Sequence, residues 1–302
     1  MNIQILYGIK DNRKDVTDIC LNKLNYNNII TIPSNDHTRA SFFTDHLFRV
    51  EKKIFIVINS TETEYDQRYI VKIDMSNFII NVINDNEINE KLNNIHKKIK
   101  IKYGSLNNEL PEQKMAVRYL TGTEKVLEIG GNIGRNSLVI ASIIDNSNLV
   151  TLESDTNIAR QLEENRNLNN YTFHIENSAL SKRKLIQKGW DTMPSDNLKE
   201  GYKWVNTINF EELTRKYNIQ FDTLVLDCEG AFYYILMDMP EILTNIKMII
   251  MENDYHNISH KNYIDTVLKE NKFCLDYREG GGWGCCSDNF FEVWKKSEHS
   301  SI

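Results

Sequence analysis

The stretch Glu124-Lys-Val-Leu-Glu-Ile-Gly-Gly-Asn-Ile-Gly-Arg-Asn-Ser137 most narrows what this chain can fold into. Val126, Leu127 and Ile129 make a short apolar strand. Gly130, Gly131 and Gly134 follow and allow positive φ and close backbone approach. Asn136 and Ser137 then lead into Leu138–Ile144, an apolar run that reads as a helix. A strand, a glycine-rich turn and a helix form a nucleotide-type binding device, because the turn aims backbone N–H groups at a ligand.

The dinucleotide fingerprint requires Gly-x-Gly-x-x-Gly. Here the second glycine falls one place early, at Gly131, and Asn132 stands where the fingerprint wants glycine. Glu128 sits in the strand end, just before the glycines. An acid followed by Gly-x-x-x-Gly suits a ligand with a positive amino group and no pyrophosphate, and S-adenosylmethionine is such a ligand. The expected cofactor contacts from this stretch are Glu128, Gly130, Gly131, Asn132, Gly134 and Asn136.

At 302 residues the chain fits two domains. With 36 basic against 42 acidic residues, the net charge of -6 implies no broad cationic surface for nucleic acid. The longest apolar runs are far short of a membrane span, and Met1–Leu6 lacks the charged head and apolar body of a signal peptide. Five cysteines without regular spacing argue against a disulfide framework and for a reducing, cytoplasmic compartment.

Residues 1–85 read as a small β-rich domain, with strand-like runs at Ile3–Tyr7, Asn28–Ile32, Lys53–Ile58, Tyr69–Ile73 and Phe78–Ile83, and a short helix over Asp15–Leu24. Asn35–Phe48 concentrates polar groups beside aromatics; a hydrogen-bonded connector is favoured over a glycan- or partner-binding loop. Residues 86–104 read as a charged helical linker. Pro111 and Glu112 then mark a helix start, from which Glu112 or Gln113 can reach a ligand at the glycine loop.

Beyond the loop helix, Leu149–Glu153 is a second strand ending in an acid, the place from which Glu153, with Ser154 beside it, would bond ribose hydroxyls. Phe173–Leu180 is a third strand running into Asn177, Ser178 and Ala179, where adenine contacts are expected. Phe221–Gly230 and Met248–Tyr255 are further strands whose carboxyl ends bring Asp227, Glu229, Glu252 and Asp254 together. Like charges gathered there are costly unless they bind something. Phe273–Tyr277 and Phe290–Trp294 close the sheet. Between them Trp283 stands on a glycine-rich loop, and with Trp190 and Tyr255 it offers a flat face for a sugar ring.

Together these residues resemble the FkbM-type family of S-adenosylmethionine-dependent methyltransferases, from roughly Lys102 to Lys296. The resemblance is carried by Leu127-Glu-Ile-Gly-Gly-Asn-Ile-Gly134, Asp227-Cys-Glu-Gly230 and Glu252-Asn-Asp-Tyr255. It implies an α/β fold with a Rossmann-like, seven-stranded class I sheet over 105–302, and O-methylation, commonly of sugars or glycosylated compounds. Cys228 departs from the aliphatic residue often found there. The Asn- and Ile-rich composition looks like that of members encoded by large DNA viruses that build their own glycans, for which the compartment would be the host cytoplasm. The first domain lies outside the resemblance.

The expected reaction is transfer of a sulfonium methyl to a hydroxyl of a nucleotide sugar or glycan. Asp227 is the expected base, Glu229 and Glu252 orient the substrate, and His256 is the reserve base. Asn253, Tyr255 and Trp283 are expected to contact substrate. A divalent metal on Asp227 with Glu252 or Asp254 is the less favoured alternative. N-methylation of an amino sugar, a non-catalytic glycan-binding role, and a homodimer all remain open at this level.

Overall fold

The structure is a computed structural model describing residues 3–26 and 28–297. Residues 1–2 and 298–302, the outer ends of the two expected domains, and residue 27 lie outside the described residues. The chain divides into two compact units, Met1–Glu90 and Lys91–Ile302.

The first unit holds eight strands: β1 (Ile3–Ile9), β2 (Asn12–Asp15), β3 (Asn25–Tyr26), β4 (Ile29–Ile32), β5 (Lys53–Ile58), β6 (Thr61–Tyr65), β7 (Tyr69–Asp74) and β8 (Ile79–Asn84). They form two four-stranded antiparallel sheets, ordered β2-β1-β5-β6 and β3-β4-β7-β8. Alternate residues from both sheets share one core: Ile5, Tyr7, Ile54 and Ile56 pack with Ile30, Ile32, Val71 and Ile73. The expected short helix is a turn of α-helix, α1 (Thr17–Ile19), continued as a π-helix over Cys20–Leu24. Asn35–Phe48 contains a helix, α2 (Asp36–Phe43), capped by Asn35, whose side chain accepts from the His37 amide. Two of its polar side chains are held within the unit. Arg39, fully buried, donates to the carbonyls of Pro33 at 2.8 Å and Tyr69 at 2.7 Å. Tyr7 donates its hydroxyl to Asp36 at 2.6 Å.

Helix α3 (Asp85–His96) occupies most of the expected linker. In the second unit the central sheet takes β9 (Val126–Ile129), β10 (Leu149–Leu152), β11 (His174–Glu176), β17 (Thr223–Leu226), β18 (Met248–Glu252), β19 (Phe273–Glu279) and β20 (Phe291–Lys296) in the order β11-β10-β9-β17-β18-β20-β19. Every pairing is parallel except those of β20, which runs antiparallel between β18 and β19. This is the expected Rossmann-like, seven-stranded arrangement. The strands β9, β10 and β17 are buried along their whole length, which requires cover on both faces. Helices α4 (Leu110–Tyr119), α5 (Arg135–Ala141), α6 (Thr156–Leu168), α7 (Phe210–Tyr217), α8 (Phe232–Asp238) and α9 (Ile258–Glu270) supply the connections. Asp155 caps α6 through the amides of Asn157 and Ile158, and Asn209 with Glu212 forms a capping box on α7.

Between β11 and α7 the chain makes two small sheets, and the single strand expected over Phe173–Leu180 is broken, its end leaving the central sheet for the first of them. One pairs β12 (Ala179–Leu180) with β16 (Thr207–Ile208). The other, β14-β13-β15, joins β13 (Leu185–Lys188), β14 (Asp191–Pro194) and β15 (Lys203–Val205). Among the described residues no helix is long and apolar enough to cross a membrane.

Candidate functional site

The topology reverses between β9 and β17, since β9 pairs with β10 on one side and β17 on the other. Open α/β sheets hold ligands at such a point, beyond the carboxyl ends of the strands. A cavity of about 300 Å³ lies there. Its wall includes Ile129, Gly130 and Asn132 from the glycine turn, Glu153 and Ser154 after β10, Ser178 and Ala179 after β11, and Asp227, Glu229 and Glu252 after β17 and β18.

Backbone geometry explains the turn's composition. Gly130 has φ +93, and a Cβ there would stand 1.6 Å from the Asp227 carbonyl oxygen. At Gly131 a Cβ would meet Thr151 Cγ2 at 2.1 Å. Asn132 takes φ 47, a left-handed conformation that asparagine tolerates, and its side chain accepts from the Ile133 amide at 2.9 Å. The Asn132 amide donates to Glu153 Oε2 at 2.9 Å, while the Asp155 amide donates to Glu153 Oε1 at 2.7 Å. Glu153 therefore ties the turn to the second strand while still lining the cavity.

Glu128 does not reach the cavity, contrary to its expected role as a direct cofactor ligand. Its side chain is 2% exposed and accepts from Ser137 Oγ at 2.5 Å and Thr151 Oγ1 at 2.8 Å. It thus fastens α5 and β10 beneath the turn. Burial pushes its carboxyl up to about 7, against the side-chain hydrogen bonds that favour the charged form. Folding therefore favours the protonated carboxyl, so the stability this adds is present below the ordinary carboxylate range and is lost as pH rises through about 7. Glu128→Gln is expected to flatten this dependence. Urea midpoints of the wild type should fall relative to the variant between about pH 5 and about pH 8; parallel curves would remove Glu128 as the responsible group.

The cavity's other end is carboxylate-rich. Glu109, Glu112, Asp227, Glu229 and Glu252 all line it. Burial, then the charges of Asp254, Glu109 and Glu112, holds the Asp227 carboxyl far above the ordinary range. Burial, with the neighbouring acids Glu112 and Asp227, raises Glu252 likewise. With carboxyl oxygens within 4.8 Å of each other, Asp227 and Glu252 gain and lose their protons as a pair. Asp254 is pushed up to about 7 by burial and by Glu229, although the Gly230 amide donates to its Oδ1 at 2.8 Å. Carboxylate oxygens of Asp227, Glu252 and Asp254 lie within 4.8 Å of one another, and Asp254 Oδ2 is buried without a hydrogen-bond partner. Among the lining acids Glu109 has a direct counter-charge, Arg135 Nη1 at 2.5 Å, which binds the entry of α4 to the start of α5.

Several expected residues lie elsewhere. Gly131, Gly134 and Asn136 shape the turn and the start of α5 without forming the cavity wall. Asn177 donates to the Glu153 carbonyl at 2.8 Å and so joins two strand ends, leaving Ser178 and Ala179 at the wall. Asn253 is fully buried, donates to the Asn289 carbonyl at 2.5 Å, and is not part of the wall. Tyr255 is buried at 2% exposure beneath the Gly230 turn, and Gln113 is consumed by Leu106, Asn108 and His96. His256 is exposed and packs against Trp283 with ring centroids 4.8 Å apart and the rings tilted, outside the wall, so Trp283, Tyr255 and Trp190 do not form one platform; of these Trp190 alone lines the cavity. Glu109, Gln187 and Thr192 line it without having been singled out in the sequence. Glu109 carried a readable signal, as the acid directly before the Leu110-Pro111 helix start.

No family model matches the sequence, and no curated protein is similar to it. Solved structures with a related arrangement include a ribosomal protein L11 methylase from Lactobacillus delbrueckii subsp. bulgaricus, 14% identical over 65% of this chain and 82% of that one, TM-score 0.41. An O-methyltransferase from Bacillus cereus in complex with SAH is 13% identical over 70% and 90%, TM-score 0.39. An rRNA methylase from Streptococcus thermophilus is 8% identical over 65% and 99%, TM-score 0.39.

Proposed function

We propose that the second unit is an S-adenosylmethionine-dependent methyltransferase that acts on a hydroxyl of a nucleotide sugar or glycan. The observation that carries this reading is the cavity's polarity. One end offers Glu153, Ser154 and Ser178 for a nucleoside, while the other gathers Glu109, Glu112, Asp227 and Glu252. A donor that joins an adenosine to a sulfonium and an ammonium matches that division, whereas a dinucleotide would bring phosphates to the acids. When bound, the donor supplies an electrophilic methyl group.

The chain's own residues account for the remainder. Glu153, held by the Asn132 and Asp155 amides, is fixed to accept from ribose hydroxyls. The Asp227–Glu252 pair, with carboxyls raised by burial and by neighbouring acids, is a stronger base than an ordinary carboxylate and takes the acceptor's proton at Asp227. Glu229, at the rim, orients the acceptor. Incubation with the donor and a panel of nucleotide sugars, followed by mass spectrometry, should reveal one acceptor heavier by a methyl group. No gain on sugars, with gain on an amino sugar or an RNA, would replace the acceptor class.

A second reading rests on the triad Asp227, Glu252 and Asp254 and the unpartnered Asp254 Oδ2. These hard oxygen donors suit Mg²⁺, which would lower an acceptor hydroxyl's pKa in place of a protein base. Under the base reading, dialysis against EDTA leaves kcat unchanged. Loss of most turnover, restored by Mg²⁺, would establish the metal reading instead.

A further inference from the structure

The small sheet β14-β13-β15 is tied to the cavity by its register. Gln187 lies opposite Thr192 on one side and Lys203 on the other, so these three share a face. Ile186, opposite Met193 and Trp204, lies on the other face. The first face is turned to the cavity, since Leu185, Gln187 and Thr192 all line it, with Trp190 from the intervening turn. Lys203 fixes the sheet from the same side through Asp155 at 2.5 Å, the residue that caps α6.

Gln187 is 5% exposed. Its Nε2 donates to Ser154 Oγ at 2.9 Å, and its Oε1 has no hydrogen-bond partner. A buried amide oxygen without a donor is costly, and such a group is retained where a ligand completes it. Around it the wall is apolar, made by Leu152, Ala179, Leu180 and Leu185. This end follows β10 and β11, across β9 from the Asp227 and Glu252 carboxylates on β17 and β18. A slot with apolar sides and an unpartnered amide acceptor fits a flat heteroaromatic ring that carries an amino group.

We propose that Gln187 Oε1 accepts a hydrogen bond from the 6-amino group of the donor's adenine, making β13 the element that reads the base. This rests on the assignment of the cavity to S-adenosylmethionine, and the test separates the two. Binding of S-adenosylhomocysteine is compared by calorimetry with that of its purine riboside analogue, which lacks only the 6-amino group. Wild-type protein should prefer the adenosyl compound by about tenfold, the effect of leaving one buried acceptor unpaired. Gln187→Leu should bind both about equally, and Gln187→Glu, which keeps an acceptor, should restore a preference.

A wild-type preference below about twofold overturns the inference without reference to any variant. A preference that survives in Gln187→Leu overturns it too, since another group would then read the amine. Binding of neither compound to wild-type protein overturns the cavity assignment itself, and this inference with it.

Discussion

Asp227→Asn should lower kcat by about 10²- to 10⁴-fold, the usual contribution of a positioned general base. Binding of S-adenosylhomocysteine, which lacks the sulfonium charge, should remain close to wild type. The reasoning is local. Asp227 follows directly on β17, its amide donates to the Ile129 carbonyl at 3.1 Å, and its carboxyl lies within 4.8 Å of that of Glu252. Asparagine keeps the size and the backbone contact but has no basic oxygen with a raised pKa. The wild-type pH profile carries the same signature. Because burial and neighbouring acids raise the Asp227 carboxyl, activity should fall as pH drops through a limb lying above the ordinary carboxylate range. Single-turnover methyl transfer measures both effects. Turnover within a few-fold of wild type would remove Asp227 both as the base and as a ligand of the Mg²⁺ reading.

Gly130→Ala should destabilise the second unit by on the order of 3–5 kcal/mol, through overpacking against backbone together with a disfavoured conformation. The new Cβ would lie 1.6 Å from the Asp227 carbonyl oxygen at φ +93, and neither backbone has a flexible end that can yield. Relief requires β9 and β17 to part, and these strands carry the whole switch point. Cofactor binding should be lost with stability. Gly189→Ala is the control: it also has positive φ, +59, but nothing lies within 4 Å of its Cβ, so about 1 kcal/mol is expected. Thermal melts of the two variants should differ clearly; matched melting temperatures would show that the turn is not held as described.

The sheet and its ligand end were legible because their signals are local. Val126–Ile129, Leu149–Leu152, Thr223–Leu226 and Met248–Glu252 are short apolar runs, each closed by an acid or glycine, and strands buried on both faces read that way. The direction of a side chain was less legible. Glu128 and Glu153 both sit at strand ends near the glycines, yet Glu128 is consumed by Ser137 and Thr151 while Glu153 lines the cavity. The pattern fixes a strand but does not say which partner will be beneath it. Asn253 shows the same limit, because the Asn289 carbonyl that holds it comes from a distant loop. Strands β13, β14 and β15 left no pattern, being three or four residues long with Lys, Asp and Thr among their members. Gln187 was thus hidden, although it stands beside Ser154 in space. Strand β6, Thr61-Glu-Thr-Glu-Tyr65, was missed for a related reason: an exposed edge strand needs no apolar face.

The central claim is that the cavity at the β9–β17 switch point, with nucleoside donors at one end and clustered carboxylates at the other, receives a sulfonium nucleoside. Calorimetric titration of the full chain with S-adenosylmethionine, and separately with NAD⁺, tests it most directly. Saturable one-to-one binding of S-adenosylmethionine and no binding of NAD⁺ is the expected result. A flat isotherm for S-adenosylmethionine, or saturation by NAD⁺, would contradict it.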